Sequence, residues 1–207
     1  MKVLYRGAES LIYLDEFEGE TVVVKERLKK SYRIEQIDSK LRKYRTRMEV
    51  KLLTEARKVG VFTPRIIFVD EEEGKIYMEY IEGKRVKELL ESEEKPIIKK
   101  VCFQIGSSVG KLHSAGIVHG DLTTSNMILK DGNIYFIDFG LGDFSSRIED
   151  QGVDLNLLQE AIRATHFKLL KFCWSNIVKG YKREYRFANK VLERVVEIEK
   201  RARYMAR

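Results

Sequence analysis

The sequence predicts an α+β fold in two lobes. Residues 1–82 form a small β-rich lobe carrying one long helix, residues 83–207 form a reduced helical lobe ending in a basic tail, and the whole is one domain. Three observations predict it. Short β-prone runs dominate the first lobe, and helical periodicity dominates after residue 86. Between the main helices, His119 to Gly140 sets four polar side chains at fixed offsets within two short apolar segments. At 207 residues and 24.2 kDa the chain has material for one good core, or for two small lobes sharing a cleft.

That stretch, HGDLTTSNMILKDGNIYFIDFG, reads as a phosphoryl-transfer site. Asp121 follows His119 by two residues, Asn126 follows Asp121 by five, and Asp138 opens Asp-Phe-Gly twelve residues after Asn126. Phosphoryl transfer needs a carboxylate that orients the attacking hydroxyl or water, and hard oxygen ligands that hold Mg²⁺ against the phosphates. Asp121 suits the first task, Asn126 and Asp138 the second. Met127 to Leu129 and Ile134 to Ile137 are β-prone runs joined by Lys130-Asp-Gly-Asn, a hairpin signal that brings Asn126 beside Asp138. The spacing H-x-D-x-x-x-x-N followed by D-F-G resembles the protein-kinase superfamily, which implies ATP as phosphoryl donor and Mg²⁺ as its metal. Gly120 stands where conventional protein kinases carry Arg. That Arg pairs with a phosphorylated activation loop, so its absence suggests activity that is not switched in that way.

Taken in order, Val3 to Tyr13 and Thr21 to Val24 read as strands around the turn Glu16-Phe-Glu-Gly-Glu. Arg6-Gly-Ala-Glu-Ser-Leu sits where a kinase covers the phosphates, but it is not G-x-G-x-x-G. Gly7 alone allows a close backbone approach, and Glu9 and Ser10 offer indirect contacts to phosphate or water. By the same resemblance, Val22-Val-Val-Lys25 matches the strand ending in the phosphate-pairing lysine. Lys29 to Arg45 reads as a mobile loop or a short extra helix around Ile34-Glu-Gln-Ile. Thr46 to Lys58 is a helix, closed by Gly60 and Pro64. Lys25 needs a glutamate from its inner face. Glu49 shares a face with Leu52, Leu53 and Ala56, whereas Glu55 lies between Lys51 and Lys58, so Glu49 is the expected partner.

Val61 to Val69 and Ile76 to Ile81 follow as strands around Asp70-Glu-Glu-Glu-Gly. Tyr77-Met-Glu-Tyr-Ile-Glu-Gly resembles the kinase hinge, which implies main-chain contacts to adenine from Glu79 and Ile81, with Met78 behind and Ile128 below the ring. Val86 to Ser92 is a short helix ended before Pro96. Ile97 to Ala115 is a long one, with Ile98, Val101, Cys102, Ile105, Val109 and Leu112 at helical spacing. His113 on that helix reads as structural. Val153-Asp-Leu opens a helix whose Asp154 is expected to anchor the catalytic loop, and Leu169 to Val178 and Phe187 to Ile198 read as closing helices.

Charged residues make up 34% of the chain and hydrophobic ones 43%, the balance of a soluble protein with a heavily charged surface. No apolar run approaches a membrane span and MKVLYRGAES lacks a signal-peptide core, so no membrane contact and a cytoplasmic location are expected. Cys102 and Cys173 read as reduced core thiols. The net charge of +7 is segregated: 25–47 holds ten basic and three acidic residues, 179–207 ten basic and four acidic. Two such clusters fit a polyanion, with tRNA contact through 25–47 and 179–207 as one reading and two solvated helix faces as the other.

A minimal kinase with His119-Gly-Asp-Leu, Asp138-Phe-Gly-Leu, Glu149-Asp, Val153-Asp-Leu, the helix Arg45-Thr-x-x-Glu49 leading to Gly60-Val and Pro64, and an Arg-rich end is similar, nearly end to end, to the kinase subunits of the KEOPS (EKC) complex. The resemblance implies a small atypical, RIO-like serine/threonine kinase or ATPase. It implies binding to the threonylcarbamoyltransferase subunit and other KEOPS subunits, in support of threonylcarbamoyladenosine formation in tRNA. It carries Lys25, Glu49, Asp121, Asn126 and Asp138 onto matching positions, and leaves open whether water or a serine is the acceptor. Two other readings stand beside it: a small-molecule phosphotransferase of the aminoglycoside or choline kinase type, and a non-catalytic scaffold stabilised by nucleotide.

Overall fold

A computed structural model describes residues 2–205, with only the helical backbone described for 202–205. Strands rich in Val, Ile, Leu and aromatic residues build the first lobe. Strands β1 (Lys2–Arg6), β2 (Ser10–Phe17) and β3 (Glu20–Arg27) run up and down. Helix α1 (Glu35–Lys58) follows, then β4 (Ile66–Asp70) and β5 (Lys75–Glu79), in a five-stranded sheet of order β1-β2-β3-β5-β4. Tyr13, Val22 and Val24 form a small cluster on one face of the sheet, flanked by Leu11, Phe17, Ile67 and Tyr77. On α1, Leu52, Leu53 and Ala56 join the main core instead.

Three expectations need correction here. Val3 to Tyr13 is two antiparallel strands, not one, because Gly7 donates its N–H to the Ser10 carbonyl at 2.9 Å and turns the chain. Phe62 forms only an isolated bridge to Tyr135, and β4 begins at Ile66 rather than Val61. The basic stretch Lys29 to Arg45 is irregular only as far as Ile34, and from Glu35 onward it is the first half of α1 rather than a loop or a separate short helix. Charge rather than apolar burial holds this half. Arg42 bonds Asp38 one turn away at 3.1 Å, while Lys43 reaches Glu72 and Arg47 reaches Glu71, each at 2.7 Å across to the acidic β4–β5 turn.

The second lobe begins with β6 (Lys84–Arg85), α2 (Val86–Ser92) and α3 (Lys95–Ser114), whose Pro96 sits in the first turn where no N–H is needed. After β7 (Ile117–Val118) come β8 (Met127–Lys130) and β9 (Asn133–Phe136), the expected hairpin, paired Met127 to Phe136 and Lys130 to Asn133. A short β10 (Asp143–Phe144) pairs with β7 before α4 (Ile148–Thr165), α5 (Leu170–Glu184) and α6 (Ala188–Met205). Helices α3 and α5 cross with almost no gap. A Cβ on Gly106 would lie 1.9 Å from the Ile177 carbonyl oxygen, and one on Gly180 2.1 Å from that of Phe103. Around this contact Cys102, Ile105, Val109, Cys173, Ile177 and Tyr181 are essentially fully buried, each large aliphatic contributing about 1.5–3 kcal/mol. Both cysteines are free and buried. Among the described residues no helix is long and apolar enough to cross a membrane.

Candidate active site

Strand alternation puts Lys25 and Arg27 on one side of β3, facing α1. Lys25 Nζ donates to Glu49 Oε1 at 2.7 Å and to Asp138 Oδ1 at 2.5 Å, so the sheet, α1 and the segment after β9 meet at one ammonium. Burial pushes the Lys25 pKa down, but Glu49 and Asp138 outweigh it and hold the group above its ordinary value. Glu55 instead pairs with Lys58 at 2.8 Å on the outer surface. Arg27 was not foreseen: its Nη2 donates to the other oxygen of Glu49 at 2.6 Å. The i, i+2 spacing from Lys25 was the available signal.

Below the sheet, Asp154 on α4 ties down the turn that carries His119 to Asp121. Its two oxygens accept the backbone N–H groups of His119 at 2.8 Å and Gly120 at 2.9 Å, and His113 lies 3.2 Å from the same carboxylate. Burial opposes its ionisation, yet His113, His119 and these amides hold its pKa below the usual carboxylate value. His119 is fully buried, and that burial keeps its pKa below the usual imidazole value despite nearby aspartates. Gly120 has φ +79°, and a Cβ there would lie 2.0 Å from the Leu141 carbonyl oxygen. Sterics alone thus exclude Arg at this position in this loop conformation.

Asp121 and Asn126 are half-buried and joined, since the Asn126 amide donates to Asp121 Oδ2 at 2.8 Å and to its carbonyl at 3.0 Å. The Asn126 side-chain oxygen is an acceptor that these two bonds do not use. The hairpin returns the chain, with the Ile137 N–H donating to the Asn126 carbonyl at 2.9 Å, and Asp138 follows in a left-handed conformation, φ +62°. Phe139 is buried with its ring 4.4 Å from that of His119, which fixes the direction of the turn. Burial raises the Asp138 pKa, but Lys25 and the Gly140 N–H outweigh it and lower it overall. One amide oxygen and one carboxylate are hard donors of the kind magnesium accepts beside phosphate oxygens and water.

The remaining expected contact residues lie on the first turn, on β5 and just after it, and on β8. Gly7 and Ser10 flank the first turn, which is clasped to α1 and the segment before it. Glu9 bonds Arg45 at 2.6 Å, and Lys30 donates to the Ala8 carbonyl. Met78 and Ile81 are buried, and Ile128 is half-buried on β8. The Glu79 N–H is given to the Arg65 carbonyl at 2.8 Å. Of the basic residues in 25–47, Lys25, Arg27, Arg33, Arg42, Lys43, Arg45 and Arg47 are all ion-paired. In the tail, Arg194 and Arg201 pair with Glu149, and Ala206 and Arg207 lie outside the described residues.

Residues 7–162 match the protein kinase domain family. Along its whole length the chain is 50% identical to the KEOPS complex subunit Bud32 of Pyrococcus abyssi, covering 98% of that protein. It is 42% identical to a probable bifunctional tRNA threonylcarbamoyladenosine biosynthesis protein of Methanothermobacter thermautotrophicus, and spans only 36% of that longer chain. Among solved structures it is similar to WaaP in complex with acyl carrier protein, with a TM-score of 0.67 over 96% of this chain and 88% of that one. At 14% identity this likeness speaks for the fold alone.

Proposed function

The chain belongs to the protein kinase domain family and, within it, to the Bud32 subunits. From that premise we propose that it is an atypical, Mg²⁺- and ATP-dependent serine/threonine kinase or ATPase of a KEOPS assembly, supporting threonylcarbamoyladenosine formation in tRNA. One observation carries the chemistry: Lys25 is bonded to both Glu49 and Asp138, with the joined pair Asp121 and Asn126 on the adjoining loop. In this reading Glu49 holds Lys25 so that its ammonium faces the α and β phosphates. Asn126 and Asp138 would hold Mg²⁺, which neutralises charge on the phosphate oxygens when bound. Asp121, oriented by the Asn126 amide, accepts the proton of a serine hydroxyl or positions a water. The Glu79 carbonyl and Ile81 meet the base, Met78 and Ile128 line its pocket, and the turn from Gly7 to Ser10 lies over the phosphates.

The bifunctional relatives support a partner. This chain matches about a third of their length, and in this reading the remainder of those proteins corresponds to a threonylcarbamoyltransferase unit that works beside this one. Their names also support a tRNA role, with direct contact resting on the tail more than on the ion-paired 25–47 segment. The test is Mg²⁺-dependent ATP turnover by the purified protein and an Asp121→Asn control, with and without that subunit and tRNA, while label on protein is followed. Phosphate release that rises with partner and tRNA supports a complex-bound ATPase, and label on serines supports a kinase. Turnover no higher than in the Asp121→Asn control would overturn the assignment.

A further inference from the structure

Resting on that reading, we propose that Arg27 is a positioning residue for phosphoryl transfer: it keeps Glu49 neutralised so that Lys25 can leave Asp138 and turn to the nucleotide. Two cations face two carboxylates: Lys25 and Arg27 against Glu49 and Asp138. The balance changes when Asp138 turns to a metal and Lys25 to phosphate. Glu49 is 1% exposed, and a buried carboxylate without a partner is costly. With Lys25 alone it would hold that ammonium for itself. Arg27 gives its second oxygen a partner at 2.6 Å, and Lys25 then has charge to spare.

The placement of Arg27 fits this task. It is 6% exposed, its Nη2 also reaches the Arg45 carbonyl at 3.5 Å, and its Nε is buried without a partner among the described residues. A Cβ on Gly140 would lie 3.0 Å from Lys25 Nζ and 3.5 Å from Arg27 Nη2, so both cations border the segment that carries Asp138.

Arg27→Met keeps the aliphatic length and removes the charge and its bonds. Its kcat is expected to fall about 10- to 100-fold, the range for one charge-assisted hydrogen bond to a buried group. The KM for ATP should move less than about threefold, because the contact orients rather than binds. Arg27→Lys should recover most of the loss. Arg27→Met/Glu49→Gln should be no slower than Glu49→Gln alone. In the nucleotide-free protein, hydrogen exchange should quicken in Arg27→Met at 46–53 on α1 rather than throughout. A variant with wild-type kcat, or losses that add to those of Glu49→Gln, would overturn the inference. If Arg27→Met does not fold, Arg27→Gln takes its place in the same comparison. An Asp138→Ala control separates the two failures: if it turns over normally the phosphoryl-transfer reading fails, and if it is inactive while Arg27→Met is normal only the role of Arg27 fails.

Discussion

Replacing Gly120 with Ala adds one methyl group at a tightly packed point of the loop that carries Asp121. The built Cβ stands 2.0 Å from the Leu141 oxygen and 2.4 Å from its carbon, against the 3.0 Å that real contacts respect, so about 1 Å of backbone movement is required. Neither side yields freely. The Gly120 N–H is held by Asp154 at 2.9 Å, and the Gly142 N–H is given to the Phe139 carbonyl at 2.9 Å. An alanine held at φ +79° costs about 1–2 kcal/mol, and forcing atoms into a packed site about 1–3 more. The sum, about 2–5 kcal/mol, corresponds to a fall in Tm of roughly 4–20 °C for a chain of this size. Because Asp121 is the next residue, a displacement of about 1 Å should also cost on the order of 100-fold in kcat. Thermal unfolding and steady-state ATP turnover read the two effects separately. Gly120→Arg, which restores the residue of conventional kinases, should be at least as damaging. An alanine variant with wild-type Tm and kcat would refute the steric reasoning.

Acid should destabilise the fold in two stages. His119 has its pKa depressed in the folded state, so its contribution is present above the ordinary imidazole value of about 6.5 and is lost as pH falls below it. Asp154 and Asp138, also depressed, contribute above the ordinary carboxylate value and lose that contribution in the acid range below it. Urea unfolding across pH should show both stages, and Asp154→Asn should flatten the lower one while costing about 2–3 kcal/mol at neutral pH. Gly106→Ala should prise α3 from α5, lowering the urea midpoint by the equivalent of about 1–3 kcal/mol without a direct effect on the cleft. Removing the chain after Arg194 should weaken tRNA binding and flatten its salt dependence, whereas Arg47→Ala, which breaks the pair with Glu71, should change neither appreciably.

What the sequence made legible followed from patterns that a single physical cause explains. The hairpin from Met127 to Phe136 was readable because its turn chemistry and strand runs agree. Glu49 was separable from Glu55 because the apolar stripe of Leu52, Leu53 and Ala56 fixes which side of α1 faces inward. The first half of α1 was hidden because Arg42, Lys43 and Arg47 are held by carboxylates on other turns, and hydrophobic periodicity does not register such pairs. Arg27 was overlooked for a related reason: a charged residue after a strand reads as exposed until a buried carboxylate is known to face it. At Gly120 the letter was noticed but not its cause, since a clash with Leu141, some twenty residues on, exists only in the folded chain.

The most direct test of the site is the Mg²⁺-dependent ATP turnover of Asp138→Ala beside the wild type. Asp138 is bonded to Lys25 at 2.5 Å and is the carboxylate assigned to the metal, so turnover should fall to the background of the Asp121→Asn protein while the circular dichroism spectrum stays that of a folded chain. Wild-type turnover in a folded Asp138→Ala protein would contradict the phosphoryl-transfer assignment.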